Sequence, residues 1–207
     1  MNTDGSTTTV ANLSQFIKSH PVANPNPGDF EPDGTWYSMV AVRGSMYAIE
    51  PNHGEIDRIT TGGEISRVAD ISASQGHIVP TVVAFHGNFY VGNLDTFPIE
   101  GGDSRILKIT PSGYVTAVAH GLDTVLGIAF DNHDRMYVLE NTVGAPGPAP
   151  GHGDIVRIDP NGKKTIILSG LNLPTGMTMG PDGALYVSEW GFGGTPGMGR
   201  ILRVTGL

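Results

Sequence analysis

Short runs of alternating apolar and polar residues recur along the chain at a nearly fixed spacing. Four of them are centred on a tyrosine, as in "NFYVGN" and "ALYVSE", and these tyrosines are Tyr47, Tyr90, Tyr137 and Tyr186. A second set, such as "SRILKIT" and "GRILRVT", carries the basic residues Arg58, Lys108, Arg157 and Arg203. Both sets repeat in steps of 43 to 50 residues. Two markers that share one period indicate a repeated structural unit.

Each unit contains two further runs that complete a group of four. An apolar run such as "TVVAF" precedes the tyrosine segment, and an alternating run such as "VTAVAH" follows the basic segment. Gly, Pro, Asn and Asp separate the runs, and alternation between such turns is typical of β-strands. Four-stranded units that repeat about every 40 to 50 residues are typical of β-propeller blades. The predicted blades span about residues 36–70, 80–120, 124–169 and 174–207.

The two ends of the chain predict how the ring closes. The last unit stops at "GRILRVTGL", its third strand, while "GSTTTVANL" (5–13) matches "GEISRVADI" (63–71), which contains the fourth strand of the first unit. Exchange of this strand would complete the last blade and cover an edge that otherwise invites aggregation. We therefore predict an all-β fold, with one β-propeller domain over residues 1–207. It has four four-stranded blades, and the N-terminal strand completes the last one.

Two other arrangements fit the same pattern. Two chains could exchange the strand and form one eight-bladed ring, because a head-to-tail contact closes when the rotation permits. The chain could also be part of a six-bladed parent. The expected state is therefore a monomer or a strand-exchanged homodimer. Only "NLSQFIKSH" (12–20) has a helical pattern.

Composition and charge exclude several function classes. The chain has 30 Gly and 15 Pro, an excess that indicates many tight turns. Its net charge is −8 with only 12 Lys and Arg, so we expect neither a nucleic-acid partner nor a membrane partner. There is no cysteine, which removes disulfides, thiolate metal sites and a cysteine nucleophile. The N-terminus lacks the pattern of a signal peptide, and no apolar run is long enough to span a membrane.

Several linked phrases extend the pattern, among them "ANPNPGDFEPDGTWYS", "VPTVVAFHGNFYVGNLDTFPIEGG" and "LPTGMTMGPDGALYVSEWGFGGTPGMGRILRV". With these phrases the chain resembles the ScyD/ScyE family of NHL-like β-propeller proteins from about residue 8 to the end. The resemblance implies a bacterial protein that is secreted or periplasmic. Family members are typically longer, with an export signal and further blades. Most have no assigned reaction, so the resemblance implies no catalytic residues.

The repeat places a polar residue directly after the second strand of every blade. These residues are Glu50, Asn93, Glu140 and Glu189. Converging carboxylates raise one another's pKa, and a divalent cation would offset that cost. Oxygen ligands suit Ca²⁺ or Mg²⁺, so we predict a candidate metal site at the axis. The alternative is that each residue is a cap that accepts hydrogen bonds from loop amides.

The loops on the same face carry candidate bases and aromatic residues. The candidate bases are His53, His77 and His152, and a loop hydrogen bond is the alternative role for each. Five aromatic side chains could form a stacking floor for a planar or carbohydrate ligand, or plug the space between blades. They are Trp190, Phe192, Phe97, Trp36 and Tyr37. No serine lies in a Gly-x-Ser-x-Gly turn, so the sequence gives no support to a serine hydrolase.

Two functions therefore follow from the sequence. The first is a non-catalytic propeller that binds a small molecule or polymer on its loop-rich face. The second is a divalent-metal-assisted hydrolase or lyase, similar to propeller lactonases or streptogramin lyases, in which the cation polarises the substrate and a loop histidine acts as base. The second rests on analogy at the level of the fold.

Overall fold

The computed structural model describes residues 5–25 and 33–207, and most regular structure in these ranges is β-strand. The two short helices are α1 (Leu13–Ser19) and α2 (Ser72–Gln75). The first two groups of strands are β1 (Ser38–Val42), β2 (Ser45–Glu50), β3 (Glu55–Thr60) and β4 (Ile65–Asp70), then β5 (Pro80–His86), β6 (Asn88–Asn93), β7 (Ser104–Ile109) and β8 (Val115–Leu122). The other two are β9 (Val125–Phe130), β10 (Met136–Glu140), β11 (Gly153–Ile158) and β12 (Lys164–Leu171), then β13 (Gly176–Met179), β14 (Leu185–Glu189) and β15 (Arg200–Val204).

These strands form four antiparallel sheets in sequence order, which are the blades of a propeller. Blades 1, 2 and 3 are β1–β4, β5–β8 and β9–β12, and blade 4 is β13–β15. The two sequence markers face each other across neighbouring strands in every blade, as in Tyr47 opposite Arg58 and Tyr186 opposite Arg203. The predicted all-β, four-bladed propeller is confirmed. The helix predicted over 12–20 also forms, with the Asn12 side chain accepting a hydrogen bond of 3.0 Å from the Gln15 amide.

Consecutive blades pack face to face through their apolar side chains. We call the side of a blade that faces the preceding blade its leading face and the opposite side its trailing face. Between blades 1 and 2, Ile49 and Ile56 of the trailing face meet Val83, Phe89 and Leu107 of the leading face. Each fully buried side chain of this size contributes about 1.5–3 kcal/mol, so the blade contacts supply most of the stability. Blades 2 and 3, and blades 3 and 4, form equivalent cores.

A glycine in the turn between the third and fourth strands sets the distance between some blades. Gly63 and Gly113 have φ of +88°, a conformation that L side chains rarely adopt. A Cβ on Gly113 would collide with the Val68 carbonyl oxygen of blade 1. A Cβ on Gly63 would collide in the same way with the Val10 carbonyl oxygen. Val10 therefore occupies, beside blade 1, the position that the fourth strand of blade 1 occupies beside blade 2.

The N-terminal segment differs from the prediction in one respect. Its position beside Gly63 is where a preceding blade would place its fourth strand, as the match of 5–13 with 63–71 implies. However, residues 5–12 are not a strand, and blade 4 contains three strands within the described ranges. The reason is that β1 packs beside β5, β5 beside β9 and β9 beside β13, whereas no comparable packing joins β13 to β1. Blade 4 is thus not brought to the segment that would complete it.

The segment after Val10 is attached to blade 1. Ile17 and Val22 are buried, and the Ala23 amide donates a 2.7 Å hydrogen bond to the Asp70 carboxylate. The Arg67 guanidinium donates to the carbonyls of His20 and Pro21. These contacts hold the segment on the outer part of blade 1. In the ranges that the structure describes, neither helix has the length and hydropathy needed to cross a membrane.

Gly113→Ala tests the close approach between blades 1 and 2. We expect a loss of roughly 2–4 kcal/mol in the free energy of unfolding, because a methyl group meets a backbone oxygen in addition to the positive-φ penalty. The matched control is Gly162→Ala, in the same turn of blade 3, where φ is +83° and no atom lies within 4 Å of the added Cβ. The control should lose only about 1 kcal/mol. Equal losses in urea unfolding would show that the approach is unimportant.

Candidate functional site

The loop-rich face is built on the four polar residues that end the second strands. Glu50, Asn93, Glu140 and Glu189 are the last residues of β2, β6, β10 and β14, and all four are at most 5% exposed. A buried carboxylate is costly unless hydrogen bonds replace the lost water. The partners of these side chains therefore indicate what they do.

Two of the carboxylates accept hydrogen bonds from backbone amides, and one of the two also pairs with a guanidinium. Glu50 accepts hydrogen bonds from the amides of Thr35 (2.8 Å), Asn52 (3.2 Å) and His53 (2.5 Å). Glu189 accepts from the Asn172 amide at 2.6 Å and pairs with the Arg200 guanidinium at 2.7 Å. Both side chains thus tie the residues before the first strand of their blade to the end of the second strand.

The other two residues make the same type of connection. Glu140 accepts a 2.6 Å hydrogen bond from the Asp123 amide, which precedes β9. Asn93 accepts from the Arg105 amide at 2.8 Å and donates to the Ile78 carbonyl at 3.0 Å. All four residues are therefore caps that join the segments before strand 1 to strand 2.

Glu140 has the least compensated charge of the three capping glutamates. Burial is the main cause that raises its pKa to about 7, and the neighbouring charges of Asp123 and Asp154 raise it further. The Asp123 amide and the more distant Lys164 lower the pKa but do not reverse the shift. Glu140 therefore exchanges a proton near neutral pH.

The four capping residues do not fit a shared cation site. Their oxygens bind backbone amides or Arg200, and among residues 5–25 and 33–207 no three His, Asp or Glu side chains are arranged to hold a metal ion. The axial Ca²⁺ or Mg²⁺ site thus stays a prediction without a ligand set.

The candidate bases occupy separate places on this face. The ring Nδ1 of His152 lies 3.1 Å from the Val143 carbonyl oxygen, within its own loop. His53 meets Glu50 through its backbone amide, as described above. His77 is half-buried and has an interaction partner. Loop hydrogen bonding is thus the visible role of His152.

A second set of hydrogen bonds joins the same loops, and no pattern in the sequence predicts it. Val79, Thr124 and Leu173 precede the first strands of blades 2, 3 and 4, and all have positive φ, between 42° and 52°. This is rare for residues other than glycine, especially for a β-branched side chain. It directs the carbonyls of Val79 and Thr124 toward the amides of Leu94 (2.9 Å) and Asn141 (3.0 Å), just after strand 2.

The five aromatic residues do not form one surface. Trp36 and Tyr37 lie together beside the N-terminal segment, and only Tyr37 of the five also lines the central cavity. Phe97 and Phe192 are 67% and 43% exposed on their loops. Trp190 has φ of +55° and packs its indole close to Gly194, so it stabilises its own loop.

The central cavity is the feature that brings all four blades together. It has a volume of about 430 Å³ and is lined by the first strands β1, β5, β9 and β13 with the residues just before them. No lining residue carries a charge. The polar groups are the hydroxyls of Tyr37, Ser38, Thr81, Thr175 and Thr178. Thr81 donates its hydrogen to the Val125 carbonyl at 2.6 Å, which joins blade 2 to blade 3.

Blade 1 also contains a buried charged cluster that no sequence pattern predicts. Glu55 and Asp57 are fully buried, and Arg67 binds Glu55 at 2.6 Å. Burial raises the pKa of both acids, and the charge of Asp57 raises that of Glu55 further. The cluster lies under the N-terminal segment, since the same Arg67 binds His20 and Pro21. It therefore anchors that segment and is separate from the central cavity.

Comparisons with known proteins support the fold. No family model and no curated protein matches the chain. A streptogramin B lyase structure is similar over 88% of this chain and 56% of that chain, with 12% identity and a TM-score of 0.57. The calcium-binding protein regucalcin from Agrobacterium tumefaciens is similar over 74% of this chain and 52% of its own, with 15% identity and a TM-score of 0.55. The PQQ-bound aldose sugar dehydrogenase from Streptomyces coelicolor is similar over 82% of this chain and 59% of its own, with 15% identity and a TM-score of 0.63.

These structures share the β-propeller fold with this chain. The chain spans between about half and three fifths of their length. At 12–15% identity the similarity concerns the fold alone. The finer ScyD/ScyE resemblance has no match to support it and stays a prediction.

Glu140→Gln tests the buried carboxyl through the pH dependence of stability. The folded-state pKa lies above the unfolded value of 4.5, so Glu140 stabilises the fold at low pH and this contribution is lost as pH rises toward about 7. Gln has no ionisable side chain, so the variant does not lose this stability as pH rises. Relative to the unchanged protein it should gain roughly 2 kcal/mol in unfolding free energy between pH 5 and pH 8. Urea unfolding at both pH values measures the difference.

Glu189→Gln is the matched comparison, because it lies in the same repeat position but removes the partner of Arg200. We expect it to be less stable than the unchanged protein at both pH values. A constant difference between Glu140→Gln and the unchanged protein from pH 5 to pH 8 would contradict the shifted pKa of Glu140.

Proposed function

We propose that this chain is a binding propeller that takes a small uncharged molecule into the central cavity from its loop-rich face. The observation that carries the proposal is the neutral lining of that cavity, to which all four blades contribute. Its volume of about 430 Å³ lies in the range of roughly 300–1,000 Å³ that is usual for small-molecule sites.

The chemistry of the lining defines the ligand class. Leu126, Ile128 and Val82 offer apolar surface, while Ser38 and Thr175 offer hydroxyl groups. Such a wall suits a neutral molecule with both apolar and hydroxyl groups, such as an aromatic compound or a carbohydrate. A charged ligand would lose its hydration without an opposite charge to replace it.

Tyr37 is the side chain best placed to hold a planar ligand. It is 53% exposed, lies directly before β1, and its backbone amide is fixed to the Ile49 carbonyl at 3.1 Å. An aromatic ring fixed at the rim of an apolar cavity can stack on a ligand at a small entropic cost.

The wider setting follows from the ScyD/ScyE resemblance. We propose that the protein acts outside the bacterial cytoplasm, in the secreted or periplasmic space, as an accessory to a process that uses or carries such a molecule. Identification of the chain in a culture supernatant or periplasmic fraction would test this location.

Tyr37→Ala tests the binding proposal with N-phenyl-1-naphthylamine, a neutral aromatic probe whose fluorescence rises in apolar sites. The unchanged protein should bind it, and the variant should bind roughly five- to tenfold more weakly because it loses the stacking surface. D-glucose, added as a neutral competitor, tests the hydroxyl-lined part of the cavity.

The matched control is Tyr114→Ala, since Tyr114 is 71% exposed in the turn before β8, away from the cavity lining. Its affinity should equal that of the unchanged protein. Equal weakening in both variants, or a probe affinity that neither changes, would contradict binding in the central cavity.

A metal-assisted hydrolase or lyase is the second candidate function. The observation that favours it is the proximity of Glu140 to Asp123 and Asp154, whose charges raise the pKa of Glu140. A lyase and a calcium-binding protein are also among the structures that share the fold. Because the described side chains provide no three-ligand group, we derive no catalytic step through a cation.

Calcium addition separates the two candidates. After EDTA treatment and dialysis, a specific ion at a hundredfold excess over its Kd would add about 2.7 kcal/mol to stability and raise Tm. The binding proposal predicts no change in Tm with Ca²⁺ or Mg²⁺. A rise that Glu140→Gln abolishes would favour the metal candidate.

A further inference from the structure

The central cavity is polar at its loop-rich end and apolar farther in. Each first strand begins at the loop-rich face, so the order of residues along the strand gives their depth in the cavity. Four of the five hydroxyl groups lie at the two outermost positions, and they belong to Tyr37, Ser38, Thr81 and Thr175. The next position inward is apolar in every blade, with Met39, Val83, Ile128 and Met177. A ligand therefore meets most of its polar partners near the entrance.

The Ser38 hydroxyl has a hydrogen left to donate. Its Oγ lies 3.4 Å from the Val83 amide nitrogen of blade 2. An amide N–H can only donate, so the serine oxygen is the acceptor in this contact. Among the residues that the structure describes, none accepts a hydrogen bond from the Ser38 hydroxyl. This hydroxyl can therefore donate to a ligand in the cavity.

The Thr81 hydroxyl has the opposite role. Its Oγ1 lies 2.6 Å from the Val125 carbonyl oxygen of blade 3, and 3.4 Å from the Gly92 carbonyl oxygen. A carbonyl can only accept, so the threonine donates its single hydrogen, and the shorter bond is to Val125. Turning that hydrogen toward a ligand would remove this bond from a buried carbonyl, which is costly. The Thr81 oxygen can therefore accept from a ligand but does not donate to it.

This pair of hydroxyl groups gives the cavity one polar side. The corresponding residues of blades 3 and 4 are Leu126 and Gly127, then Thr175 and Gly176. Of these, Thr175 has a hydroxyl group, and it lies 3.2 Å from the Ser188 hydroxyl of its own blade. The unused donor and the unused acceptor thus both face the cavity from blades 1 and 2.

The spacing of the pair limits the ligand group that can bind both. Thr81 belongs to β5, and Ser38 contacts the same strand at Val83, two residues farther along. Two residues of a strand span about 7 Å. A single ligand hydroxyl bridges less than about 6 Å with two hydrogen bonds of about 2.8 Å each. The pair therefore fits a head group whose acceptor and donor are on different atoms, as in a carboxamide or a vicinal diol.

We propose that the ligand of the central cavity is an uncharged amphiphile whose head group accepts a hydrogen bond from Ser38 and donates one to Thr81. Its apolar part extends inward past Val83 and Ile128. The assignment rests on the proposed function, because it concerns the same cavity. It narrows the ligand class, since a head group that only accepts leaves the Thr81 oxygen without a donor.

Two probes that differ in one donor group test the assignment. 2-Naphthamide and 2-acetonaphthone share the ring and the carbonyl oxygen, and the amide carries NH₂ where the ketone carries a methyl group. Each is used to displace N-phenyl-1-naphthylamine from the full chain, which gives two affinities. Because the amide is also better hydrated in water, the ratio of the two affinities is compared between proteins.

Thr81→Val should lower the ratio of amide to ketone affinity roughly three- to tenfold, because the NH₂ group loses its acceptor. Ser38→Ala should weaken both probes by a similar factor and leave the ratio unchanged, since both probes lose the same donor. Thr81→Ser keeps the hydroxyl group and should keep the ratio, which separates the loss of the acceptor from a disturbed fold. The matched control is Thr116→Val, on the exposed side of β8, with both affinities unchanged.

Failure of this assignment can be told apart from failure of the proposed function. If N-phenyl-1-naphthylamine does not bind the unchanged protein, both are wrong. If it binds and the ratio is the same in the unchanged protein and in Thr81→Val, the head-group assignment is wrong and the cavity remains a ligand site. An equal fall of the ratio in Thr81→Val and Thr81→Ser also overturns the assignment, because the hydroxyl group would then not be responsible.

Discussion

The packing of one blade's trailing face on the next blade's leading face is the constraint on which the structure depends. A single antiparallel sheet of three or four short strands buries too little apolar surface to be stable alone. Face-to-face packing buries Ile56, Ile106 and Ile155 completely and provides the core that each sheet lacks. The same packing sets the positions of the first strands around the axis, and so it also creates the central cavity.

The chemistry of the loop-rich face follows from how the chain connects these packed sheets. Every blade must join its first strand to its second and third strands at the same end of the sheet. Glu50, Asn93, Glu140 and Glu189 meet this need by binding amides or carbonyls near strand 1. Because the carboxylates are used in this way, the axis is left with a neutral lining. The scaffold and the neutral lining of the cavity are therefore linked through one set of hydrogen bonds.

The sequence predicts the repeated part of this architecture well and the exceptions poorly. The Tyr47–Arg58 spacing predicts both strands, because alternation and period are local properties of a strand pair. The positive φ of Val79 has no signal of this kind, since a β-branched residue rarely adopts it. Asp57 occupies the repeat position of the core residue Leu107, and no spacing in the sequence predicts its burial beside Glu55 and Arg67.

At the site, too, the sequence predicts the residues that recur in every blade better than those that occur in a single loop. The alternative of a capping role for Glu50 and its equivalents describes the hydrogen bonds that the structure shows. The position recurs because every blade must connect the segment before its first strand to the end of its second strand. The aromatic residues recur in no such register, so their separate locations depend on individual loops. Tyr37 lies at the cavity because it directly precedes β1, whereas Trp190 packs within its own loop.

A repeat whose units are stable only in contact with neighbours has a distinctive problem at its ends. Solenoid proteins usually solve it with polar outer faces on their terminal repeats. Blade 4 has the polar residues Thr178 and Ser188 on its trailing face, but Ile201 on the same face is exposed. In blade 1, residues 9–24 cover much of the leading face, above the buried Glu55 and the half-buried Arg67. A groove still remains at Met39, between blade 1 and the N-terminal segment.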